Sequence, residues 1–305
     1  MRISGITIIR NGVNFGYPFI ESIRSALPIC DEYVVVVGDC KDGTLEAVRS
    51  MNDPKIRIVE TVWSDKVKPG MCVLAQQTNI GLHMCTGDWA LYLQANEVLH
   101  ENSLEALRNT MAKHVDDPSV EALLLERLTF WGDYENVIPV YPHRFKFSPR
   151  IVRPYIGTYS IRDAMSFAVF DRFSLRGRYP AAVDTGENVY RYGNVMSAAM
   201  MQEKIRKVVH LNRKEESFDE AAFYNSFPHC FVRRFKGTHP AVMSELVRSF
   251  KHKLSADDPR WRERLTLKEW QRLCETRFYE KFGIMRFRNT RYRLVGDYVH
   301  KQQPY

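Results

Sequence analysis

Residues 33–37 read Tyr-Val-Val-Val-Val, an unbroken apolar run that is mostly β-branched. A strand of this kind has no polar face to show to water, so both its faces must be covered. That excludes a simple antiparallel sheet with one wet face and requires a sheet packed between helices. The neighbouring sequence supplies the other parts. Ile3–Ile9 is a short apolar run, and Pro18–Ala26 suits a helix with proline near its first turn. Asp42-Gly43-Thr44 marks a turn entering a helix behind which Leu45 and Val48 lie. Residues 56–62 predict another strand, 73–84 repeat apolar residues at helical spacing, and 89–93 predict a fourth strand. Asn102 or Ser103 is placed to cap a helix carrying Leu104, Leu107 and Met111. Residues 122–128 predict a fifth strand. Strands alternating with helices of this length imply βαβ units and a largely parallel sheet. Ligands of such sheets bind beyond the carboxyl ends of the strands. This puts Arg10 and Asn11, Gly38 and Asp39, and the run Gln94–Glu97 on one rim.

The pattern changes after residue 130. Residues 131–195 are rich in aromatics, Arg, Pro and Gly, with short strand-like pieces such as 167–170. Residues 196–210 predict a Met-rich helix ending in Lys204, Arg206 and Lys207. Thr266-Leu267-Lys268-Glu269 has the form of a capping box. It opens a helix expected to bury Leu267, Trp270, Leu273, Cys274 and Phe278 on one face and to end at Gly283.

At 305 residues, 45% hydrophobic and 26% charged, the chain can bury a full-sized core. It has no apolar stretch near the roughly 20 residues that span a bilayer. The first residues pass into a strand-like run without the features of a secretory signal. Six cysteines without a CxxC pair predict mostly buried, reduced thiols and a cytoplasmic setting. The net charge of +8 is concentrated late: residues 201–305 hold 23 Lys and Arg against 13 Asp and Glu, the rest of the chain 21 against 23. A basic last third can be a solvated helical surface or can attract an anionic membrane or polyanion, which suggests peripheral binding at the inner membrane face. No recognition motif for nucleic acid accompanies it, so a specific nucleic acid is not an expected partner.

One ordered series of short motifs is more specific. Ile-Ile-Arg-Asn (8–11), Cys-Asp-Glu (30–32), Gly-Asp-Cys-Lys-Asp-Gly-Thr (38–44), Gln-Thr-Asn (77–79), Gly-Asp-Trp (87–89) and Gln-Ala-Asn-Glu-Val (94–98) together resemble a family 2 glycosyltransferase. Ile161-Arg162-Asp163-Ala164 and Val189-Tyr190-Arg191-Tyr192-Gly193 resemble pieces of a bacterial surface-glycan branch of it. The resemblance implies a GT-A-like α/β fold: a mostly parallel central sheet flanked by helices, with a helical C-terminal extension. It divides the chain into a nucleotide-sugar-binding, Rossmann-like half (1–130), an acceptor-side region completing the GT-A domain (131–210) and a basic helical extension (211–305). It also implies transfer of a sugar from a nucleotide diphosphate sugar, UDP favoured, to a glycan or lipid-linked acceptor with inversion. The alternative is a catalytically degenerate relative that binds a glycan or nucleotide without turnover.

Arg10, Asn11, Asp39, Asn79, Gln94 and Asn96 are the expected nucleotide-sugar-binding residues, Asp39 facing the base; Asp42 is read as a turn and cap residue. The family's metal-holding Asp-x-Asp element falls on Gln94, Ala95 and Asn96, and a common late His falls on Arg191. Neutral amides hold magnesium or manganese weakly. If a metal is bound, Asn96 and Glu97 are its ligands. The expectation is a metal-independent site in which Arg191 supplies positive charge to the departing diphosphate. Asp163 is the expected general base, with Arg162 orienting it, and Glu97 the second candidate. His100 is expected to shape the donor pocket, with Glu101 capping the next helix.

Overall fold

The computed structural model describes residues 1–67, 71–138, 146–171, 176–196, 201, 204, 227–253, 261–262, 264–282, 290–299, 301 and 304. Four parallel strands form the first half of the main sheet in the order β3 (Ile56–Glu60), β2 (Glu32–Val37), β1 (Ile3–Ile9) and β4 (Trp89–Tyr92). Helices α1 (Phe19–Ala26), α2 (Thr44–Arg49), α3 (Cys72–Met84) and α4 (Leu104–Lys113) connect or flank them. The valine run explains itself in this setting. Val35 and Val37 pack into a core with Ile23, Leu107 and Met111, whereas Val34 and Val36 pack into the opposite core with Ile6 and Leu82. Each buried valine contributes about 1.5–3 kcal/mol of transfer free energy, and the alternation spends it on both sides of the sheet.

Beyond β4 the sheet becomes mixed. β5 (Glu97–Leu99), β6 (Ala122–Phe130), β7 (Asn136–Ile138) and β8 (Phe147–Val152) follow. β8 pairs antiparallel with both β4 and β6, and so lies between them. β9 (Thr158–Ile161), β10 (Ser166–Asp171) and β11 (Arg176–Arg178) make a separate antiparallel sheet. β12 (Ala181–Arg191) runs parallel to β6 and antiparallel to β5. The chain after residue 130 thus holds more strand than its sequence suggested, because short strands interrupted by Gly and Arg carry little periodicity.

The C-terminal part is not purely helical. Besides β13 (Phe227–Pro228), β15 (Trp261–Arg262), α5 (Ser244–Ser249) and α6 (Leu267–Phe282), it adds β14 (Arg233–Arg234) beside β7 and β16 (Arg293–Leu294) beside β12. The capping box forms: Glu269 Oε2 accepts from the Thr266 N–H at 2.7 Å and its hydroxyl at 2.9 Å. The expected buried face of α6 does not. Leu273 is buried together with Glu269 and Thr276, while Leu267, Trp270, Cys274 and Phe278 are exposed. Of the capping pair, Glu269 lies on the docked side with Leu273 and Thr276, while Thr266 is exposed. The Met-rich segment, apart from Met196, Met201 and Lys204, and Gly283 lie outside the described residues. Among those described, no helix is long and apolar enough to cross a membrane. All six cysteines are free, though Cys72, Cys230 and Cys274 are exposed where burial was expected.

Candidate functional site

The carboxyl ends of β1, β2 and β4 deliver their polar tips to one rim, as parallel pairing requires. After β2, Gly38 lies so close to the Trp63 indole that a Cβ would fall 2.5 Å from its Nε1. Asp39 Oδ2 accepts from Arg10 Nη2 at 3.0 Å and its Oδ1 from the Trp63 N–H at 3.0 Å, while Arg10 Nε donates to the Asp39 carbonyl at 3.2 Å. Arg10 and Asp39 therefore come together as a partly exposed pair over Trp63, whose own Nε1–H is buried without a partner. Asn11 takes a left-handed conformation, φ 54°, and opens the turn that leads to Tyr17. Asp42 is the turn residue expected: it accepts from the Thr44 hydroxyl at 2.6 Å, the Thr44 N–H at 3.2 Å and the Asn14 N–H at 2.9 Å.

The second group is built around the turn 94–97. Glu97 is fully buried, one oxygen taken by Arg150 Nη2 at 2.7 Å and the other by the Gln94 N–H at 3.1 Å. Burial pushes its pKa up, but Arg150 and these hydrogen bonds outweigh that and hold it below the usual carboxylate range. Arg150 reaches Glu97 because β8 bulges there: Leu123 opposes Ile151 and Leu124 opposes Pro149, leaving Arg150 as the extra residue. Bulges re-aim a side chain in this way. The opposite wall is β12, whose Arg191 lies opposite Glu97 in register. Gly193 presses on Asn96 so closely that a Cβ would be 2.4 Å from its Nδ2, and the Tyr192 N–H donates to the Asn96 carbonyl at 2.8 Å.

What these groups leave unmade defines the site. Among the described residues, Arg191 Nε and Nη1, Arg127 Nε and Nη1, Arg150 Nε and Asn96 Oδ1 are all buried without a hydrogen-bond partner. Arg127 on β6 pairs in register with Val189, two residues before Arg191, so both arginines lie on one sheet face. Burial, then the like charge of Arg191, lowers the pKa of Arg127 to about 9; burial also lowers that of Arg191, opposed by Glu97. Three guanidinium groups thus converge on one carboxylate that is already engaged. Lys204 and Tyr17 border them, with the Lys204 ammonium 4.9 Å from the centre of the Tyr17 ring.

The remaining expected residues sit as follows. Gln94 donates from Nε2 to the Met165 sulfur at 3.2 Å, and Arg150 Nη1 donates to the Met165 carbonyl at 3.4 Å. This joins the turn between β9 and β10, which carries Asp163, to the arginine group. The cation beside Asp163 is Arg291, at 3.3 Å, instead of the expected Arg162, which is exposed at φ 53°. Asn79 lies elsewhere: its Oδ1 accepts from the Ser160 N–H at 2.6 Å and its Nδ2 donates to the Ser160 carbonyl at 3.2 Å, which clamps β9 to α3. His100 does not face the site. Its Nδ1 accepts from the Asn102 N–H at 3.2 Å, the capping role expected of its neighbours, and its Nε2 meets the Thr238 hydroxyl at 3.0 Å. Glu101 holds the Ala241 N–H at 3.0 Å and Ser103 the Glu187 carboxylate at 2.6 Å. Arg127, Arg150 and Tyr17 were missed in the sequence. An arginine inside an otherwise apolar strand, as in Leu-Leu-Leu-Glu-Arg-Leu, was the available signal for Arg127.

A divalent cation does not fit this donor set. Both Glu97 oxygens are engaged, Asn96 offers one neutral oxygen, and the buried guanidinium groups repel a cation. Among the described residues no group of three or more His, Cys, Asp or Glu is placed to hold a metal.

No family model matches the chain, and no curated protein matches it. Solved structures similar to it include S. aureus TarS 1–349, at 16% identity over 72% of this chain and 68% of that one, TM-score 0.39. S. aureus TarS is similar at 16% identity over 74% of this chain and 43% of its own, TM-score 0.40. TarS 1–349 in complex with UDP-GlcNAc is similar at 19% identity over 51% and 46%, TM-score 0.37.

Proposed function

We propose that the chain is a GT-A-type glycosyltransferase that moves a sugar from a nucleotide diphosphate sugar, UDP favoured, to a glycan or lipid-linked acceptor, with inversion and without a metal ion. The observation that carries this reading is the pair of buried, unpartnered guanidinium groups, Arg127 and Arg191, beside the strand tip where a GT-A enzyme holds its diphosphate. Unpaired buried cations are costly unless a charge meets them. Two phosphates supply that charge, and guanidinium binds phosphate oxygens in a two-pronged fork.

The chemistry assigned to the residues is simple. Arg10 and Asp39 receive the nucleoside. Arg191 and Arg127 hold the diphosphate and stabilise the electron pair it gains as its bond to the sugar breaks. Arg150 and Glu97 keep the seat rigid. Asp163, partly exposed at the turn next to Met165, takes the proton of the attacking acceptor hydroxyl from the face opposite the leaving group.

Calorimetric titration with UDP in excess chelator, followed by an assay of UDP release from UDP-sugars with and without acceptor glycans, tests the reading. Micromolar binding in chelator and turnover lost on Asp163→Asn with UDP binding retained are the expected results. Binding seen only with manganese, or lost on Asn96→Ala but not Arg191→Met, counts against the metal-free site. Binding without any release from any UDP-sugar selects the non-catalytic alternative.

A further inference from the structure

Among the described residues, Lys204 is a cation without an acidic partner. Its ammonium donates to the Gly193 carbonyl and lies over the Tyr17 ring at 4.9 Å, and among the described residues no carboxylate pairs with it. The charge that lowers its pKa after burial is Arg191, which is also cationic. Tyr17, whose ring lies under the Lys204 ammonium, also feels the charge of Arg191; burial raises its pKa to about 12, so its hydroxyl keeps its proton and is a donor. Gly193 in turn packs against Asn96, so Lys204 is anchored to the edge of the arginine seat and not to a distant surface. An ammonium brought beside a buried guanidinium, tied to one neutral carbonyl, is an arrangement that an anion completes.

We infer that Lys204 is a further diphosphate-binding residue, closing the seat of Arg127 and Arg191 from the side of Tyr17. The inference rests on the nucleotide-diphosphate reading and extends it to a residue outside the strand tips. It has a thermodynamic consequence that a packing role lacks. Burial, then Arg191, lowers the Lys204 pKa to about 7, so near neutral pH much of the population is uncharged. A bound diphosphate favours the ammonium and draws a proton from solvent. Among the described residues, Tyr17 titrates at about 12 and Arg127 at about 9, both outside pH 7 to 8, while burial lowers the Arg191 pKa against the opposing pull of Glu97.

The experiment is calorimetric titration of the full chain with UDP, and separately with inorganic pyrophosphate, at pH 7.5 in two buffers of different ionisation enthalpy. Wild type is expected to take up roughly 0.75 proton per UDP, the fraction of a group of pKa near 7 that is neutral at that pH. Its affinity should weaken as pH rises from 7 to 8. Lys204→Met should abolish the uptake and weaken UDP roughly 10- to 100-fold at pH 7. Lys204→Arg should keep tight binding with no proton uptake, which also guards against a misfolded Met variant. If UDP binds wild type without buffer-dependent heat and Lys204→Met binds it equally well, the role of Lys204 is refuted while the diphosphate site stands. If neither ligand binds wild type at all, the site reading itself falls, and this inference with it.

Discussion

Glu97 has two oxygens, and Arg150 and the Gln94 backbone take one each; Arg191, directly opposite, is left with none. Removing either charged residue should therefore have opposite consequences. Glu97→Gln strips the counter-charge from a fully buried Arg150 and is expected to cost about 3–5 kcal/mol, read from urea unfolding. Arg191→Met removes a buried charge that has no hydrogen-bond partner among the described residues and that Glu97 offsets only through space. It should raise the stability of the ligand-free protein by about 1 kcal/mol or more while weakening UDP binding at least about tenfold. A loss of stability in Arg191→Met would show that the guanidinium is paired in the free protein, and would contradict its role as an anion seat. The pH dependence of Glu97 follows from its direction. Its folded pKa lies below the unfolded value of 4.5, so the pair's contribution is complete above that value and is lost as pH falls through the folded one. Unfolding midpoints measured between pH 6 and 3 should fall in wild type and fall less in Glu97→Gln.

Elements, more than single residues, decide what the sequence disclosed. The parallel half was legible because each of its strands announces itself: Val34–Val37 needs two cores and receives them, and the rim residues Arg10, Asp39 and Gln94 follow from strand direction alone. The second half was not. Arg150 reaches Glu97 through a bulge in β8, and Arg127 shares a face with Arg191 through the pairing of β6 with β12, neither of which leaves a periodic trace. Asn79 misled for a related reason: its motif position suggests a ligand, but the β9 backbone takes both ends of its amide. The contact between the end of β12 and the turn before β5 offers a test at this scale. A methyl group at Gly193 would sit 2.4 Å from Asn96 Nδ2 and 3.0 Å from its Cγ, so the amide must rotate or the strand end must retreat. Gly193→Ala is expected to cost about 1–3 kcal/mol of stability, as overpacking does. It should cost turnover more, about tenfold or beyond, because Arg191 rides on the same strand end. Unchanged turnover in a stably folded Gly193→Ala protein would mean that this contact does not position the seat.

For the whole molecule, a seat of unpaired cations makes the free protein less stable than its contacts allow and makes ligand binding a stabiliser of the fold. A ligand that binds only the native state at 100 times its dissociation constant adds about 2.7 kcal/mol. In a chain of this size that is a rise in melting temperature of about 5 °C. The source of the rise can be located by the choice of ligand. UDP and pyrophosphate, which carry the diphosphate, should both raise the melting temperature in excess chelator, whereas uridine, which lacks phosphate, should shift it by less than about 1 °C. Manganese should add nothing, since both Glu97 oxygens are engaged, Asn96 offers one neutral oxygen and the guanidinium groups beside them repel a cation. Salt should shrink the effect of pyrophosphate only weakly, because charges buried away from solvent are poorly screened. The variants then close the argument. Arg191→Met should start from a higher melting temperature and lose the ligand shift, whereas Asp163→Asn, outside the seat, should keep the shift intact. A shift that uridine reproduces, or that manganese must be present to reveal, would place the stabilising contact away from the arginines and defeat the account of their unpaired charge.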